Sequence, residues 1–266
     1  MTSNELFQAG RLQEAIDAAI ADVKKHPTDT GRRGFFCELL CFAGELERAD
    51  KQLDLLSTQL PESAMQVALF RQLVRADQAR HDFYRSGRIP EFIGEPTEAQ
   101  SLALQASIEV REGNMPTAIE LLGQAEEVRE KVSGTCDGEP FDDFRDLDDL
   151  TSAAVEVLTS TGKFYWIAPE RIESIDFNPI ESPRDLLWRP ANMSVNGGPD
   201  GVVYLPVIYG AAGKPEDESL QLGRATDWQG KEGEPVLGIG QRTFLTGEED
   251  RPMLSMTSLQ FGSVES

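Results

Sequence analysis

Apolar residues in the first half of the chain recur at intervals of three and four. Leu12, Ala15, Ile16, Ala19 and Val23 share one face of a helix over 11–25, the spacing of an amphipathic helix. His26-Pro27 predicts its end, because a residue before proline avoids helical backbone angles. Leu46, Ala49, Leu53, Leu56 and Leu60 form a second stripe closed by Pro61, and Ser63 is placed to cap a longer helix reaching Ser86. Thr97 and Gln100 have the spacing of a capping box for the next helix. Ala118, Leu121, Ala125, Val128 and Val132 predict another, and Leu147, Leu150, Ala154 and Leu158 the last before Gly162.

After Gly162 the period changes to two. FYWI at 164–167 is a short aromatic and β-branched run, and Ile175/Phe177, Met193/Val195 and Val203/Leu205/Val207 alternate around the turn sequence NGGPDG at 196–201. VLGIGQRTFL at 236–245 and MLSMTSLQF at 253–261 read as two more strands. Several short strands in such a span predict a small barrel or a strongly bent sheet.

Within the helical part a phrase repeats. AGRLQEA at 9–15 returns as AGELERA at 43–49, which aligns Gly10 with Gly44, Leu12 with Leu46 and Ala15 with Ala49 at an offset of 34 residues. That is the period of the tetratricopeptide helical hairpin. Glycine can take the left-handed turn between paired helices, and a small alanine lets the second helix approach the first. EGNMPTA at 112–118 echoes the phrase about two periods later, so the unit between is degenerate or absent. The expected fold is α+β in two parts. Tetratricopeptide-like helical-hairpin repeats over 1–160, with an acidic connector at 134–149, precede a small β-rich, barrel-like domain over 161–266.

Composition narrows the function. Forty-six acids against 25 bases give a net charge of −21, and both halves are acidic. Such a surface repels phosphate backbones and anionic lipid, so nucleic acid and membrane are not expected partners. The polar start MTSNELFQ, the lack of a long apolar run and the odd cysteine count point to a reducing cytoplasm.

Signals for catalysis are sparse. TSTGK at 159–163 resembles the tail of a phosphate loop but has Val157 where the leading glycine belongs. GIGQRT at 238–243 carries two glycines of a dinucleotide fingerprint with no helix expected after it, and reads as a bent strand. Cys37 and Cys41 lie four apart on one helical face, without the second pair that a structural zinc site needs. No catalytic residue, cofactor or metal is expected.

Two charged features remain. Arg71, Arg75, Arg80, Arg85 and Arg88 crowd one stretch, and DGEPFDDFRDLDD at 137–149 holds seven carboxylates. The Asp146–Asp148 pair has the chemistry to hold a hard cation or to divide acid and base roles, or to charge the start of a helix. The simplest account joins the two features: Arg71, Arg75 or Arg80 reaches Asp146 or Asp148 and fixes the connector to the helical layer.

LFRQLVRADQARHDFYRSGRIPEFIGEPT at 69–97, DGEPF at 137–141, the DxD at 146–148, GKFYWIAPERI at 162–172, DLLWRPA at 185–191, TDW at 226–228 and GQR at 240–242 resemble, in order, the ImpE (TagJ) family of type VI secretion accessory proteins. This chain departs from the family pattern at Asp143 and at Leu150-Thr151. The resemblance implies a non-enzymatic cytoplasmic accessory protein whose partner is the N-terminal helix of the small contractile-sheath subunit. Trp166, Trp188 and Trp228 then join Arg71, Arg75, Arg80, Asp146 and Asp148 as residues for structure or partner docking. A metal-dependent enzyme built on Asp146 and Asp148, and a tetratricopeptide scaffold unrelated to secretion, are the alternatives.

Overall fold

The structure is a computed structural model of the chain and describes residues 1–59, 64–210, 213 and 215–262. Its helices are α1 (Ser3–Gln8), α2 (Leu12–Lys25), α3 (Thr30–Phe42), α4 (Leu46–Gln59), α5 (Ala64–Ser86), α6 (Glu98–Glu112), α7 (Met115–Val128) and the short α8 (Glu218–Gln221). The helix stop at Pro61 and the cap at Ser63 fall outside the described residues.

The repeated phrase marks hairpin turns. Gly10 and Gly44 are left-handed, at φ 80° and 72°, between α1 and α2 and between α3 and α4. At the second turn the Gly44 N–H donates to Cys41 O and the Glu45 N–H to Leu40 O, satisfying carbonyls that the helix end leaves open. Leu12 and Leu46 are buried beneath these turns, and Ala15 and Ala49 have no exposed surface. Gly113, also left-handed, turns α6 into α7. Between these hairpins α5 runs 23 residues unbroken. The Thr97–Gln100 capping box is formed, with both reciprocal bonds present. In α7 the buried stripe is Ala118, Leu122 and Ala125, so Leu122 takes the place expected of Leu121.

Strands begin before residue 160. β1 (Gly134–Cys136), β2 (Glu139–Phe141) and β3 (Phe144–Asp146) lie within the acidic connector. The helix expected over 147–158 is a 3-10 turn, Asp149–Thr151, followed by β4 (Val155–Leu158). The helical spacing misled because every residue of β4 is buried, and a strand buried on both faces shows no alternation. β5 (Phe164–Ile167), β6 (Ile172–Phe177), β7 (Trp188–Val195), β8 (Gly201–Pro206) and β9 (Thr226–Gln229) follow. The run at 236–245 is two strands, β10 (Leu237–Gly240) and β11 (Thr243–Thr246), broken at Gln241-Arg242. β12 (Glu249–Pro252) comes next, and the run at 253–261 is a 3-10 turn and then β13 (Ser258–Phe261).

The sheet does not close into the expected barrel. Among the described residues its order is β2-β1-β13-β6-β7-β8-β4-β5, with antiparallel pairing throughout. β2 and β5 end it rather than meeting. The outer edge of β5 instead takes Glu91, whose N–H bonds to Phe164 O and whose carbonyl accepts from the Trp166 N–H. β12-β11-β3 and β10-β9 form smaller sheets.

Two apolar clusters follow. One joins the helices to the large sheet: Phe83 meets Trp166 at 4.8 Å and Phe70 meets Trp188 at 6.0 Å, both edge to face. Burying each tryptophan contributes on the order of 4–6 kcal/mol before entropy is charged against it. The second cluster lies around Phe144, Phe244, Met193 and Leu259.

Candidate functional site

The acidic connector and the helical layer meet at a buried cluster of charge. β3 delivers Asp146 to its centre, where Oδ1 accepts from the Asp148 N–H at 3.0 Å and lies 2.8 Å from the Tyr209 hydroxyl. Oδ2 accepts from the Thr151 hydroxyl at 3.0 Å and from the Arg242 guanidinium. Asp148 caps the following 3-10 turn through the Leu150 N–H at 2.9 Å, and its other oxygen takes the Gly238 N–H at 2.8 Å. All four oxygens of the pair are thus engaged by arginine, hydroxyl and backbone N–H donors. That is the pattern of a structural hub, not of an open cation site. Among the described residues no group of three or more metal-ligating side chains gathers anywhere.

From Asp146 the cluster runs to the helices through Arg242, which also pairs with Glu156 of β4 and lies over the Tyr209 ring at 4.9 Å. Glu156 is the junction. Its Oε2 also receives Arg80 Nε of α5 at 2.7 Å, and its Oε1 receives the Tyr84 hydroxyl at 2.6 Å. Arg80 further bonds Ile208 O at 2.7 Å and approaches Asp77 at 3.4 Å. Arg80, Asp146, Glu156 and Arg242 are all buried.

Burial alone would raise the Glu156 pKa, but the Arg80 and Arg242 guanidiniums outweigh it and hold the carboxyl below its ordinary range. Among the described residues Asp148 makes no ion pair with an arginine. Burial, reinforced by the neighbouring Asp146 charge, pushes it up to about 7. Burial and Asp146 also raise the Tyr209 hydroxyl.

The geometry differs from the expected arginine–connector pairing: among the described residues none of Arg71, Arg75 and Arg80 bonds Asp146 or Asp148. Arg80 does join the cluster, but through Glu156 and not through the DxD pair. Arg71 turns the other way, to Asp50 and Asp54 of α4 at 2.8 and 2.7 Å. Arg75 is exposed. The arginine that binds the DxD pair is Arg242, which the sequence hid inside GIGQRT. The glycines of that motif have local duties. A Cβ on Gly238 would fall 2.3 Å from the Tyr209 ring, and one on Gly240, at φ 83°, would fall 2.2 Å from Ala225 O. They permit close packing where a cofactor fingerprint would bind phosphate.

Asp143, the departure noted in the connector, binds the Arg129 guanidinium at 2.8 and 2.6 Å and so ties the end of α7 to β3. Arg224 donates to Phe7 O and Gln8 O at the end of α1 at 2.6 and 2.9 Å, and Glu218 accepts from the Gln13 N–H at 2.7 Å. The β layer therefore grips helices α1, α2, α5 and α7. Trp166 and Trp188 are wholly buried between the layers, whereas Trp228 is 40% exposed beside Tyr209. Cys37 and Cys41 are free and buried, and burial pushes the Cys37 thiol up to about 12, which suits apolar packing and not reactivity.

Residues 138–260 match the ImpE protein family. Over 229 residues, the chain is 29% identical to the type VI secretion system accessory component TagJ of Pseudomonas aeruginosa, spanning 86% of this chain and 81% of that protein. An X-ray structure of a Vibrio parahaemolyticus protein superposes with a TM-score of 0.92 at 29% identity, covering 99% of this chain and 98% of that one. The resemblance drawn from the ordered motifs is therefore met by the family match and by likeness along nearly the whole chain.

Proposed function

We propose, for a chain with the ImpE pattern in its β region and TagJ likeness along most of its length, an accessory role in a type VI secretion system, exercised by holding another protein and not by catalysis. The observation that carries this reading is the occupancy of the DxD pair. The most acidic and most catalysis-like feature of the chain has each of its oxygens engaged by arginine, hydroxyl or backbone N–H donors, and Arg242 links it through Glu156 to Arg80 of the helical layer. No helix among the described residues is long and apolar enough to cross a membrane, in keeping with work in the cytoplasm.

The partner we infer is the N-terminal helix of the small contractile-sheath subunit. The resemblance to ImpE proteins supports it. So does the supply of exposed, unpaired guanidiniums on α5: Arg75 and Arg85 are exposed and make no ion pair among the described residues, ready for carboxylates on a partner. The test is affinity isolation of the tagged chain from its native cytoplasm, followed by titration of the purified small sheath subunit with and without its N-terminal helix. Recovery of sheath subunits and saturable binding that needs the helix are expected. Binding that ignores the deletion would overturn the partner, and absence of sheath subunits would favour an unrelated scaffold.

A further inference from the structure

A cavity of about 100 Å³ lies on the seam between the helical layer and the β layer. The α3–α4 turn at Ala43-Gly44, helix α5 and the start of β7 at Trp188 bound it, with Tyr209 beside them. Asp77, His81 and Arg85 of α5 line it at spacings of four, so they follow one another along a single helical face. Burial falls off along that row. Asp77 is 3% exposed, His81 is half-buried and Arg85 is exposed. The row therefore runs from the floor of the cavity to its mouth.

The floor is short of positive charge. Ion pairs run from Asp146 to Arg242, Glu156, Arg80 and finally Asp77, a buried chain of three carboxylates and two guanidiniums. Asp77, at its end, has the poorest partners. Arg80 gives its closer bonds to Glu156 and Ile208 O, at 2.7 Å each, and stands 3.4 Å from Asp77 Oδ1. Among the described residues Asp77 Oδ2 has only His81 Nε2, at 3.8 Å, which is outside hydrogen-bond range. His81 does not supply the missing charge, because burial, aided by Arg80 and Arg85, lowers its pKa and keeps the ring neutral near pH 7. One carboxylate offers too few ligands for a metal ion. The rings of Phe42, Trp188 and Tyr209 are among the walls, and aromatic walls beside a buried acid suit an organic cation.

We propose that this cavity binds an organic cation, a guanidinium or ammonium group on a short apolar stem, with Asp77 as its counter-ion. The stem lies against the aromatic walls, and the head completes the charge balance of the buried chain. Arg85 stands in water at the mouth, where its repulsion is screened. A free amine or guanidine and the lysine or arginine side chain of a protein partner share this chemistry. The small volume, below the roughly 300 Å³ of a site that encloses a whole metabolite, favours the side chain.

The test follows the tryptophan indole N–H signals and the methyls of Leu187 and Ile208, which line the cavity, in the isotope-labelled full chain. The titrants are n-butylguanidinium, its neutral isostere n-butylurea and the anion pentanoate. Saturable shifts at Trp188, Leu187 and Ile208 are expected with the cation alone, with a Kd on the order of 1 mM for so small a probe. A second arm compares acetyl-Gly-Arg-Gly-amide with its citrulline counterpart. Tighter binding of the arginine peptide than of n-butylguanidinium assigns the site to a protein side chain, and the reverse assigns it to a free small cation. Asp77→Asn should weaken cation binding at least about tenfold and keep the thermal midpoint at or above that of wild type, because it removes the surplus charge. His81→Lys places an ammonium beside Asp77 and should abolish binding in a folded protein. Equal binding of n-butylurea or pentanoate, shifts centred elsewhere, no binding of n-butylguanidinium, undiminished binding by either variant, or early melting of Asp77→Asn would each overturn the proposal. None of the probes carries a sheath sequence, so the result stands apart from the identity of the partner inferred above.

Discussion

Arg80 of α5 and Arg242, just before β11, converge on one carboxylate oxygen, Glu156 Oε2. Two residues 162 positions apart are held together by a third on β4, and the helical layer is joined to the connector through that atom. A buried pair of this kind matters chiefly when one member is removed, because the remaining charge has no solvent to receive it.

Glu156→Gln should therefore destabilise the fold by about 3–5 kcal/mol, since it leaves two buried guanidiniums under-compensated. Asp54→Ala removes a partner of Arg71 that is 63% exposed, and should cost less than about 1 kcal/mol. Denaturant melts of the two variants compare them directly, and similar midpoints would show that the cluster is dispensable.

Stability should also depend on pH through Asp148. Its unfolded carboxyl titrates near ~3.9, whereas in the fold it is pushed up to about 7. Between those values the folded chain keeps a proton that the unfolded chain has lost, so this group's contribution is full below the lower value and fades as pH rises through the higher one. Glu156, held low by its arginines, acts in the opposite sense: its contribution is lost as pH falls. Wild type should lose stability relative to Asp148→Asn as pH climbs from about 5 to 8. Parallel stability curves for the two proteins would contradict the assignment.

The glycines divide into two grades. Gly44→Ala should cost on the order of 1–2 kcal/mol from backbone strain, because only a His81 carbon, at 3.9 Å, would stand near the new Cβ. Gly113→Ala, with nothing within 4 Å, should show the strain alone. Gly240→Ala adds a collision with Ala225 O to the same left-handed backbone and should be the most damaging. Thermal midpoints in any other order would mean that contact and strain have been misjudged.

Arg224→Ala should loosen one end of the molecule and spare the rest. Its guanidinium caps the carbonyls of Phe7 and Gln8 and lies over the Phe7 ring at 5.6 Å. Amide exchange in α1 should speed up by roughly tenfold while the amides of β7 hold their rates. Uniform acceleration would indicate global destabilisation instead.

Much of the helical half was legible because its signals are local. The left-handed Gly10 and Gly44, the Leu12 and Leu46 anchors and the Thr97–Gln100 box each declare themselves within a few residues. β1, β2 and β3 are three residues long, too short for alternation to show, so the onset of strand went unseen. The expected barrel failed for a different reason. Whether β2 meets β5 depends on pairings between distant segments, and no stretch of sequence records them. Arg80 was visible as part of a basic cluster, but its partner Glu156 lay in what read as an apolar stripe, and Arg242 in what read as a bent strand. Through-space electrostatics decided the cluster, and spacing is blind to it.

β13 lies between β1 and β6, although it follows every other strand in the chain. During synthesis the helices leave the ribosome first, and Phe70 and Phe83 wait for Trp188 and Trp166. The large sheet meanwhile has an empty lane, third from one edge, until Ser258–Phe261 arrives. Nascent chains of this protein therefore pass through an interval in which β1 and β6 both present unpaired edges, the condition under which strands of neighbouring chains exchange. The slowest step of its biogenesis should be the closing of that lane, and truncations ahead of residue 258 should aggregate while their helices remain formed.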